Sequence, residues 1–142
     1  MNEPTGSPGS AIEKYFFTPI YHPRSAIGVV TWWESRRLLY NASVGAAGVT
    51  SLGVMTLLAA LPPQPMPFDV GVVLIGVPVY GLLANLGFTL GAPADLLLRR
   101  FLGERAAAAG PVLFRYGFVF SIGLTLLPIP VAVIDWLLRF LR

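Results

Sequence analysis

Long uninterrupted runs of apolar residues dominate the chain, and short polar or proline-rich stretches separate them. The runs cover about residues 38–61, 70–91 and 112–134. The shortest run has 22 residues, and at about 1.5 Å per residue a helix of that length spans a hydrocarbon core of about 30 Å. The pattern predicts the fold class of an all-α integral membrane protein with three transmembrane helices over these ranges.

The first predicted helix begins before its apolar run. Thr31 and Glu34 have the T-x-x-E spacing of a capping box, which indicates a helix start near Trp32. A helix from there to residue 61 would be about 45 Å long, which exceeds the hydrocarbon core. We therefore expect its first two turns, WWESRRLLY, to lie in the headgroup region.

Residues 1–30 precede the predicted membrane domain, which covers residues 31–142. Their second half is rich in aromatic residues and is interrupted by Pro19 and Pro23, which disfavour continuous helix. These features predict an irregular leader that lies on the bilayer interface or on the surface of a partner. The aromatic residues expected to make that contact are Tyr15, Phe16, Phe17 and Tyr21.

A different pattern follows the second apolar run. The sequence GAP at positions 91–93 interrupts the run, and apolar and charged residues then alternate at roughly helical spacing over residues 94–107. This alternation predicts a short interfacial amphipathic helix between the second and third spans. In the third span, Pro128 and Pro130 are expected to bend or loosen the part nearest the C-terminus.

Composition agrees with a membrane location and narrows the chemistry. Hydrophobic residues make up 55% of the chain and charged residues 12%, whereas a soluble domain carries roughly a quarter charged residues. The charged residues lie at the ends of the predicted spans and in the connections. Because proton and ion pathways need charged groups within a span, this distribution argues against ion-coupled transport.

The basic residues predict an orientation in the membrane. Two of them follow the third span, and eight precede the first span or connect the second to the third: Lys14, Arg24, Arg36, Arg37, Arg99, Arg100, Arg105 and Arg115. This asymmetry places the N-terminus in the cytoplasm and the C-terminus on the opposite side of the cell (inner) membrane. It also explains the net charge of +3 without a nucleic-acid partner.

Six of these arginines form a predicted collar around the inner ends of the helices. Its members are Arg36, Arg37, Arg99, Arg100, Arg105 and Arg115. Such a collar is typical of anchoring to anionic lipid headgroups, and a specific phospholipid or an acidic partner is the alternative.

Small and amide residues recur on one side of each predicted helix. Positions 41, 45 and 48 share a face of the first helix, and positions 81, 85 and 89 share a face of the second. The two faces predict a close antiparallel contact closed by an amide hydrogen bond, either within the chain or with another subunit. The polar and small residues in these patterns are Asn41, Gly45, Gly48, Gly81, Asn85, Thr89, Gly87, Gly91, Gly117 and Ser121.

The sequence contains no recognisable catalytic, metal-binding or cofactor-binding motif. His22 is the one histidine and there is no cysteine, which disfavours a histidine-cluster metal site and a haem held by two histidines. The sequence has no glycine-rich phosphate loop, H-E-x-x-H or G-x-S-x-G motif. We expect no enzyme activity, no ligated cofactor and no metal. Bound lipid is expected, and a pigment held by contact alone stays open.

Three charged pairs have the spacing of ordinary partners on a helix surface. They are Glu34 with Arg37, Arg100 with Glu104, and Asp135 with Arg139.

The sequence predicts a non-catalytic accessory or structural subunit of a larger membrane protein complex, with respiratory and photosynthetic complexes as candidate hosts. Its expected partners are other membrane protein subunits and the lipid bilayer. One alternative is a small homo-oligomeric channel or transporter with a polar path along Asn41, Asn85 and Thr89. Another is an enzyme acting on lipid, which would need Asp95, Glu104 or His22 as a base.

Overall fold

The structure is a computed structural model that describes residues 25–63, 65, 69–106 and 108–141. Within these residues it is all-helical, with 91% helix and no strand. The elements are α1 (Ala26–Ala60), α2 (Val70–Leu102), a short 3-10 helix (Gly103–Ala106), α3 (Ala109–Leu126) and α4 (Pro128–Arg139). The predicted leader residues Tyr15, Phe16, Phe17 and Tyr21 lie outside the described residues.

Three helical stretches are long and apolar enough to cross a membrane. They are Ala26–Ala60, Val73–Leu102 and Ala109–Arg139, the last of which contains both α3 and α4. This finding confirms the prediction of an all-α protein with three helices that could span a bilayer, as expected for a multi-pass membrane protein. The membrane-facing limits 38–61, 70–91 and 112–134 stay predictions.

Helix α1 begins at Ala26, six residues before the predicted start near Trp32. The backbone N–H of Gly28 donates to Ser25 Oγ at 3.0 Å, and the N–H of Val29 donates to the Ser25 carbonyl at 3.2 Å. Serine at this position caps a helix because its hydroxyl accepts from a free backbone donor of the first turn. The predicted capping box at Thr31 is therefore wrong, and residues 26–30 belong to the helix and not to an irregular leader.

Helix α2 begins at Val70, as predicted, and Asp69 caps it. The backbone N–H of Gly71 donates to Asp69 Oδ1 at 2.9 Å. The helix then runs without interruption to Leu102, where Gly103 at a φ of 58° ends it. A glycine in this left-handed conformation is a common helix terminator because it has no Cβ to clash with the preceding turn.

Helix α2 passes through Pro93 without a break. The predicted interruption at residues 91–93 is therefore wrong, and so is the predicted start of a separate helix at residue 94. A proline inside a helix frees the carbonyl four residues earlier but does not end the helix where surrounding packing holds it. Here Trp33 packs against Gly91 before the proline and interacts with Asp95 after it. Both sides of Pro93 are thereby held in one helical register.

The third candidate span is divided at Leu127, which lies in a turn between α3 and α4. Pro128 and Pro130 occupy the first turn of α4, where a missing N–H costs no intrahelical hydrogen bond. The sequence predicted that these prolines bend or loosen the third helix, and the structure has a turn directly before Pro128. Helix α3 starts at Ala109, and α4 continues to Arg139.

The chain forms two compact units. Unit 1 combines Met1–Leu38 with Gly87–Phe118, and unit 2 combines Leu39–Leu86 with Val119–Arg142. The buried hydrophobic residues of unit 1 are Val29, Trp33, Phe88, Ala106 and Phe114. Those of unit 2 are Tyr40 and Val44. Unit 1 therefore has an aromatic core, whereas most of the apolar side chains of unit 2 face outward.

Candidate functional site

The core of unit 1 is a cluster of aromatic rings in edge-to-face contact. The ring centroid of Trp33 lies 5.5 Å from that of Phe88 and 5.9 Å from that of Phe114. Trp32 meets Phe114 at 5.9 Å with an interplanar angle of 87°. Such edge-to-face pairs place the positive edge of one ring against the negative face of another. The cluster joins the first turns of α1 to the second half of α2 and the start of α3.

Gly91 lies directly beneath the Trp33 ring. A Cβ placed on Gly91 would be 2.4 Å from two carbon atoms of that ring. The predicted small-residue pair at positions 87 and 91 therefore has two different environments, because a Cβ on Gly87 would meet nothing within 4 Å. Only Gly91 of this pair makes a close approach, and it packs against an aromatic side chain and not against another helix backbone.

A buried ion pair lies beside this cluster. Asp95 has no exposed surface, and its Oδ1 accepts a hydrogen bond from Arg99 Nε at 2.7 Å. Trp33 Nε1 donates to Asp95 Oδ2 at 3.4 Å. Breaking such a pair by removing one partner leaves a buried charge without compensation. The full burial of Asp95 is also at odds with its suggested role as a base for an external lipid substrate.

Sequence reasoning missed the pairing of Asp95 with Arg99. Their spacing of four residues along one helix was the signal that could have found it. The contact with Trp33 comes from a distant part of the chain, and no local pattern indicates it.

Two of the predicted collar arginines lie side by side in α1 and contact residues of unit 1. The guanidinium of Arg36 lies 3.9 Å from the centroid of the Trp32 ring, and its Nη1 donates to the Trp32 carbonyl at 3.0 Å. Arg37 pairs with Glu34 at 2.6 Å and donates to Thr89 Oγ1 at 3.2 Å. Both side chains therefore have intramolecular partners close to the aromatic cluster.

Three of the six predicted collar arginines thus have partners within the chain, and the lipid collar itself stays a prediction. Arg36, Arg37 and Arg99 contact groups of their own unit. The side chains of Arg100 and Arg115 are solvent-exposed in the structure. The side chain of Arg105 is not among those that the structure describes.

Two of the three predicted surface ion pairs occur. Glu34 pairs with Arg37, and the Asp135 carboxylate lies 3.6 Å from Arg139 Nε. The pair of Arg100 with Glu104 involves a side chain that the structure does not describe.

In unit 2, tyrosine hydroxyls connect the helices. The Tyr40 hydroxyl forms a 2.8 Å hydrogen bond with Ser121 Oγ and donates to the Ala84 carbonyl at 3.3 Å. The Tyr80 hydroxyl is hydrogen-bonded to Thr125 Oγ1. Ser121, predicted as a small packing residue, is thus a hydrogen-bonding partner. Sequence analysis did not single out Tyr80.

Unit 2 also contains an apolar cavity with a volume of about 1160 Å³. The residues lining it include Asn41, Gly45 and Gly48 of α1 and Gly81 and Asn85 of α2. Residues of α3 and α4 complete its walls. The cavity gathers five of the ten residues predicted for helix contact into one surface.

The glycines of this cavity do not bring helices into close contact. A Cβ on Gly45 or Gly81 would meet nothing within 4 Å, and one on Gly48 would lie 3.7 Å from a methyl group of Thr125. Gly45 and Gly81 therefore make no close helix contact within the described part of this chain, and the predicted contact of the two faces with another subunit stays a prediction. Asn85 donates to the Gly81 carbonyl one turn earlier in its own helix at 3.1 Å. Because glycine has no side chain and no neighbouring residue fills the gap, open space is left beside Gly45 and Gly81.

Thr89 and Gly117, also predicted for helix contact, are not among the residues that line the cavity. Thr89 belongs to unit 1, where it accepts from Arg37. Gly117 also belongs to unit 1, and a Cβ there would meet open space.

Besides Asn41 and Asn85, the polar residues on the mostly apolar wall of the cavity are Ser51, Tyr80, Thr125, Asp135 and Arg139. Ser51 is 4% exposed, and its Oγ has no hydrogen-bond partner among the residues that the structure describes. Arg139 is 8% exposed and donates from Nη2 to the Leu58 carbonyl at 2.8 Å. Asp135 lines the same part of the cavity and is half-exposed.

The described residues form an all-helical protein whose three long apolar stretches are compatible with a multi-pass membrane protein. Comparison with protein-family models, with curated proteins and with solved structures finds no match to this chain.

Proposed function

We propose that this chain is a non-catalytic accessory subunit of a larger membrane protein complex. The observation that carries the proposal is the apolar surface left uncovered by its own fold. In the most apolar windows of the three candidate spans, only 11%, 6% and 6% of the residues are buried inside the chain. On α2, Leu74, Ile75 and Leu83 are each more than half exposed. Partner helices and lipid would cover these faces.

The ionisable groups support a structural role more than a catalytic one. Asp95 is buried and paired with Arg99, and Glu34 is paired with Arg37. Both carboxylates are engaged by an arginine of their own helix, and Asp95 also accepts a hydrogen bond from Trp33. Respiratory and photosynthetic complexes are candidate hosts, because both contain small helical subunits held by packing. A pigment held by contact alone would fit the same role.

Crosslinking in native membranes tests the proposed partner contact. A photoreactive residue in place of Ile75 or Leu83 should give one discrete adduct with another membrane protein, identified by mass spectrometry. The same residue in place of buried Phe88 is the control and should give none. Loss of the chain should reduce the abundance of that partner complex, and the full-length chain should restore it. Adducts with lipid alone at both exposed positions would contradict the proposal.

We also propose that the N-terminus is cytoplasmic and that the C-terminus lies on the opposite side of the inner membrane. The basic residues before the first span and after the second support this orientation. In this arrangement, the exposed Arg100 and Arg115 contact anionic headgroups, and the amphipathic end of α2 lies near the inner interface.

Because the chain has no cysteine, single cysteine substitutions can report the orientation. An impermeant maleimide should label Pro65→Cys in intact cells and should label Ala108→Cys only after the membrane is opened. The two native residues are both exposed. The reverse labelling pattern would overturn the orientation.

A homo-oligomeric channel or transporter is the second candidate function. It is favoured by one observation, the presence of Asn41 and Asn85 on the wall of the same cavity. Thr89, the third residue of the predicted polar path, lies in unit 1. Solute flux through liposomes that contain this chain alone, abolished by Asn85→Leu, would support this function over the subunit role.

A further inference from the structure

Among the described residues, the buried hydroxyl of Ser51 on the wall of the unit 2 cavity has no hydrogen-bond partner. Two neighbours on α1 show the usual alternative, since Thr50 and Thr56 donate to the carbonyls of Ala46 and Leu52, at 2.9 and 2.8 Å. Ser51 makes no such bond within the described structure, although it is 96% buried and lines the cavity. Buried polar groups are nearly always paired, so this hydroxyl points to a group that occupies the cavity.

One end of the cavity carries opposite charges. Arg139 lines the wall, and the Asp135 carboxylate beside it lies 3.6 Å from Arg139 Nε. Arg139 also donates to the carbonyl of Leu58, which is seven residues from Ser51 along α1. Seven helical residues correspond to a rise of about 10 Å. The charged end and the free hydroxyl are therefore about 10 Å apart along the helix axis.

The space between and beyond these groups is apolar and large. Its volume of about 1160 Å³ is above the range of roughly 300–1,000 Å³ that is typical of pockets for small molecules. The open sides of Gly45 and Gly81 contribute to it. A ligand that fits this cavity has a charged head, a hydrogen-bond acceptor some distance from the head, and a large apolar body.

We propose that the cavity of unit 2 binds one zwitterionic glycerophospholipid with an ammonium headgroup, such as phosphatidylethanolamine. Arg139 contacts the phosphate, Asp135 contacts the ammonium, and Ser51 donates to an ester carbonyl. The acyl chains lie along the glycine faces of α1 and α2. Charge complementarity favours this lipid, because the cation Arg139 and the anion Asp135 lie together at one end of a mostly apolar wall. The proposal does not depend on the subunit role, since it concerns the chain alone.

Filling the cavity gives the first test. The full chain is purified in mild detergent, and bound phospholipid is measured by native mass spectrometry and by phosphorus content. Wild type should retain about one molecule per chain. Gly45→Leu should lower retention about tenfold, since its side chain enters the cavity. Gly53→Leu is the matched control on the same helix, where a Cβ also meets open space and which does not line the cavity. Equal retention by both variants would overturn the proposal.

Removing the hydroxyl gives the second test. Ser51→Ala should weaken phosphatidylethanolamine retention about fivefold, the effect of one hydrogen bond. Ser43→Ala, on the same helix but away from the cavity lining, should retain lipid like wild type. An unchanged Ser51→Ala variant would remove the assigned ester contact and overturn the binding mode.

The headgroup assignment is tested by exchange. Delipidated chain is reconstituted into nanodiscs of phosphatidylethanolamine or of phosphatidylglycerol, extracted again, and assayed for retained lipid. Retention should favour phosphatidylethanolamine at least fivefold, and Asp135→Asn should abolish the preference. Equal retention, or a preference for phosphatidylglycerol, would overturn the proposed headgroup. A co-purifying molecule that contains no phosphorus would overturn the phospholipid altogether.

Discussion

Unit 1 and unit 2 are built from consecutive segments of the same helices, but the interior of unit 1 is packed and that of unit 2 contains a cavity. Unit 1 fills its core with aromatic rings and seals the ion pair of Asp95 and Arg99 beside them. Unit 2 connects its helices through tyrosine hydroxyls and leaves a cavity of about 1160 Å³. Helices of similar apolarity can thus form either a packed core or an open cavity, depending on the volumes of their side chains.

Glycine shows the difference most clearly. In unit 1, Gly91 is required because the Trp33 ring occupies the space that its Cβ would take. In unit 2, a Cβ on Gly45 or Gly81 would meet nothing within 4 Å. The same residue type thus permits close packing in one unit and creates space in the other.

The largest expected effect is the removal of the buried carboxylate in unit 1. Asp95→Ala should lower the free energy of unfolding by about 3 kcal/mol, because Arg99 would stay buried without its partner. The measurement is unfolding in mixed micelles followed by tryptophan fluorescence in a Trp136→Phe background, so that Trp32 and Trp33 give the signal. Glu34→Ala, which breaks an exposed pair, is the control and should cost less than about 1 kcal/mol.

A double variant sharpens this prediction. Replacing both Asp95 and Arg99 by Leu should recover much of the lost stability, because no unpaired charge remains. If Asp95→Ala cost no more than Glu34→Ala, the ion pair would not be a stabilising element of unit 1.

The next effect is overpacking at the glycine beneath the tryptophan. Gly91→Ala should destabilise the protein by about 2 kcal/mol, because the new methyl group would overlap the Trp33 ring. Gly87→Ala, one turn earlier in α2, should be neutral or stabilising by up to about 1 kcal/mol, since alanine favours helix over glycine. Thermal unfolding in detergent compares the two variants. Similar melting temperatures for both would contradict the close contact.

A smaller effect is expected from the hydroxyl contacts of unit 2. Tyr80→Phe should lower the free energy of unfolding by about 1 kcal/mol, because the hydrogen bond to Thr125 is lost while the ring is kept. Tyr116→Phe is the matched control, since the Tyr116 side chain is mostly exposed. Equal stability of the two variants would show that the hydroxyl contact of Tyr80 contributes nothing measurable.

The smallest effect on stability is expected in the cavity. Gly45→Leu should not lower the free energy of unfolding by more than about 0.5 kcal/mol, because the new side chain meets no neighbour and leucine favours helix over glycine. The same unfolding assay applies, and Gly91→Leu in unit 1 is the contrasting variant. A large loss of stability in Gly45→Leu would mean that a neighbouring residue already fills the space beside Gly45. The packing at Gly45 would then resemble the packing at Gly91.

Much of the fold could be predicted from the sequence because apolar runs of this length have few alternatives to membrane-spanning helices. The start of α2 at Val70 could also be predicted, because Asp69 directly follows a proline-rich stretch. In the structure, Asp69 caps the helix. The start of α1 was not, because Ser25 and Thr31 both have capping chemistry and only the structure shows which one accepts the backbone donor.

The continuity of α2 was also beyond sequence reasoning. A glycine and a proline at positions 91 and 93 predict a break when only local propensity is considered. Packing of Trp33 on one side of the proline and its contact with Asp95 on the other stabilise the unbroken helix. These contacts join residues about sixty positions apart, and no local pattern contains that information.

Sequence alone determined that the chain is helical, that three of its helices can cross a membrane, and which residues share a helix face, because these properties follow from local apolarity and helical periodicity. Only the tertiary structure decided what each face meets. It placed a tryptophan ring on Gly91 and empty space beside Gly45, and it sealed Asp95 in a core while leaving Ser51 on a cavity wall. The reason is that periodicity orients a side chain, whereas the volumes of distant neighbours determine whether the space it faces is filled.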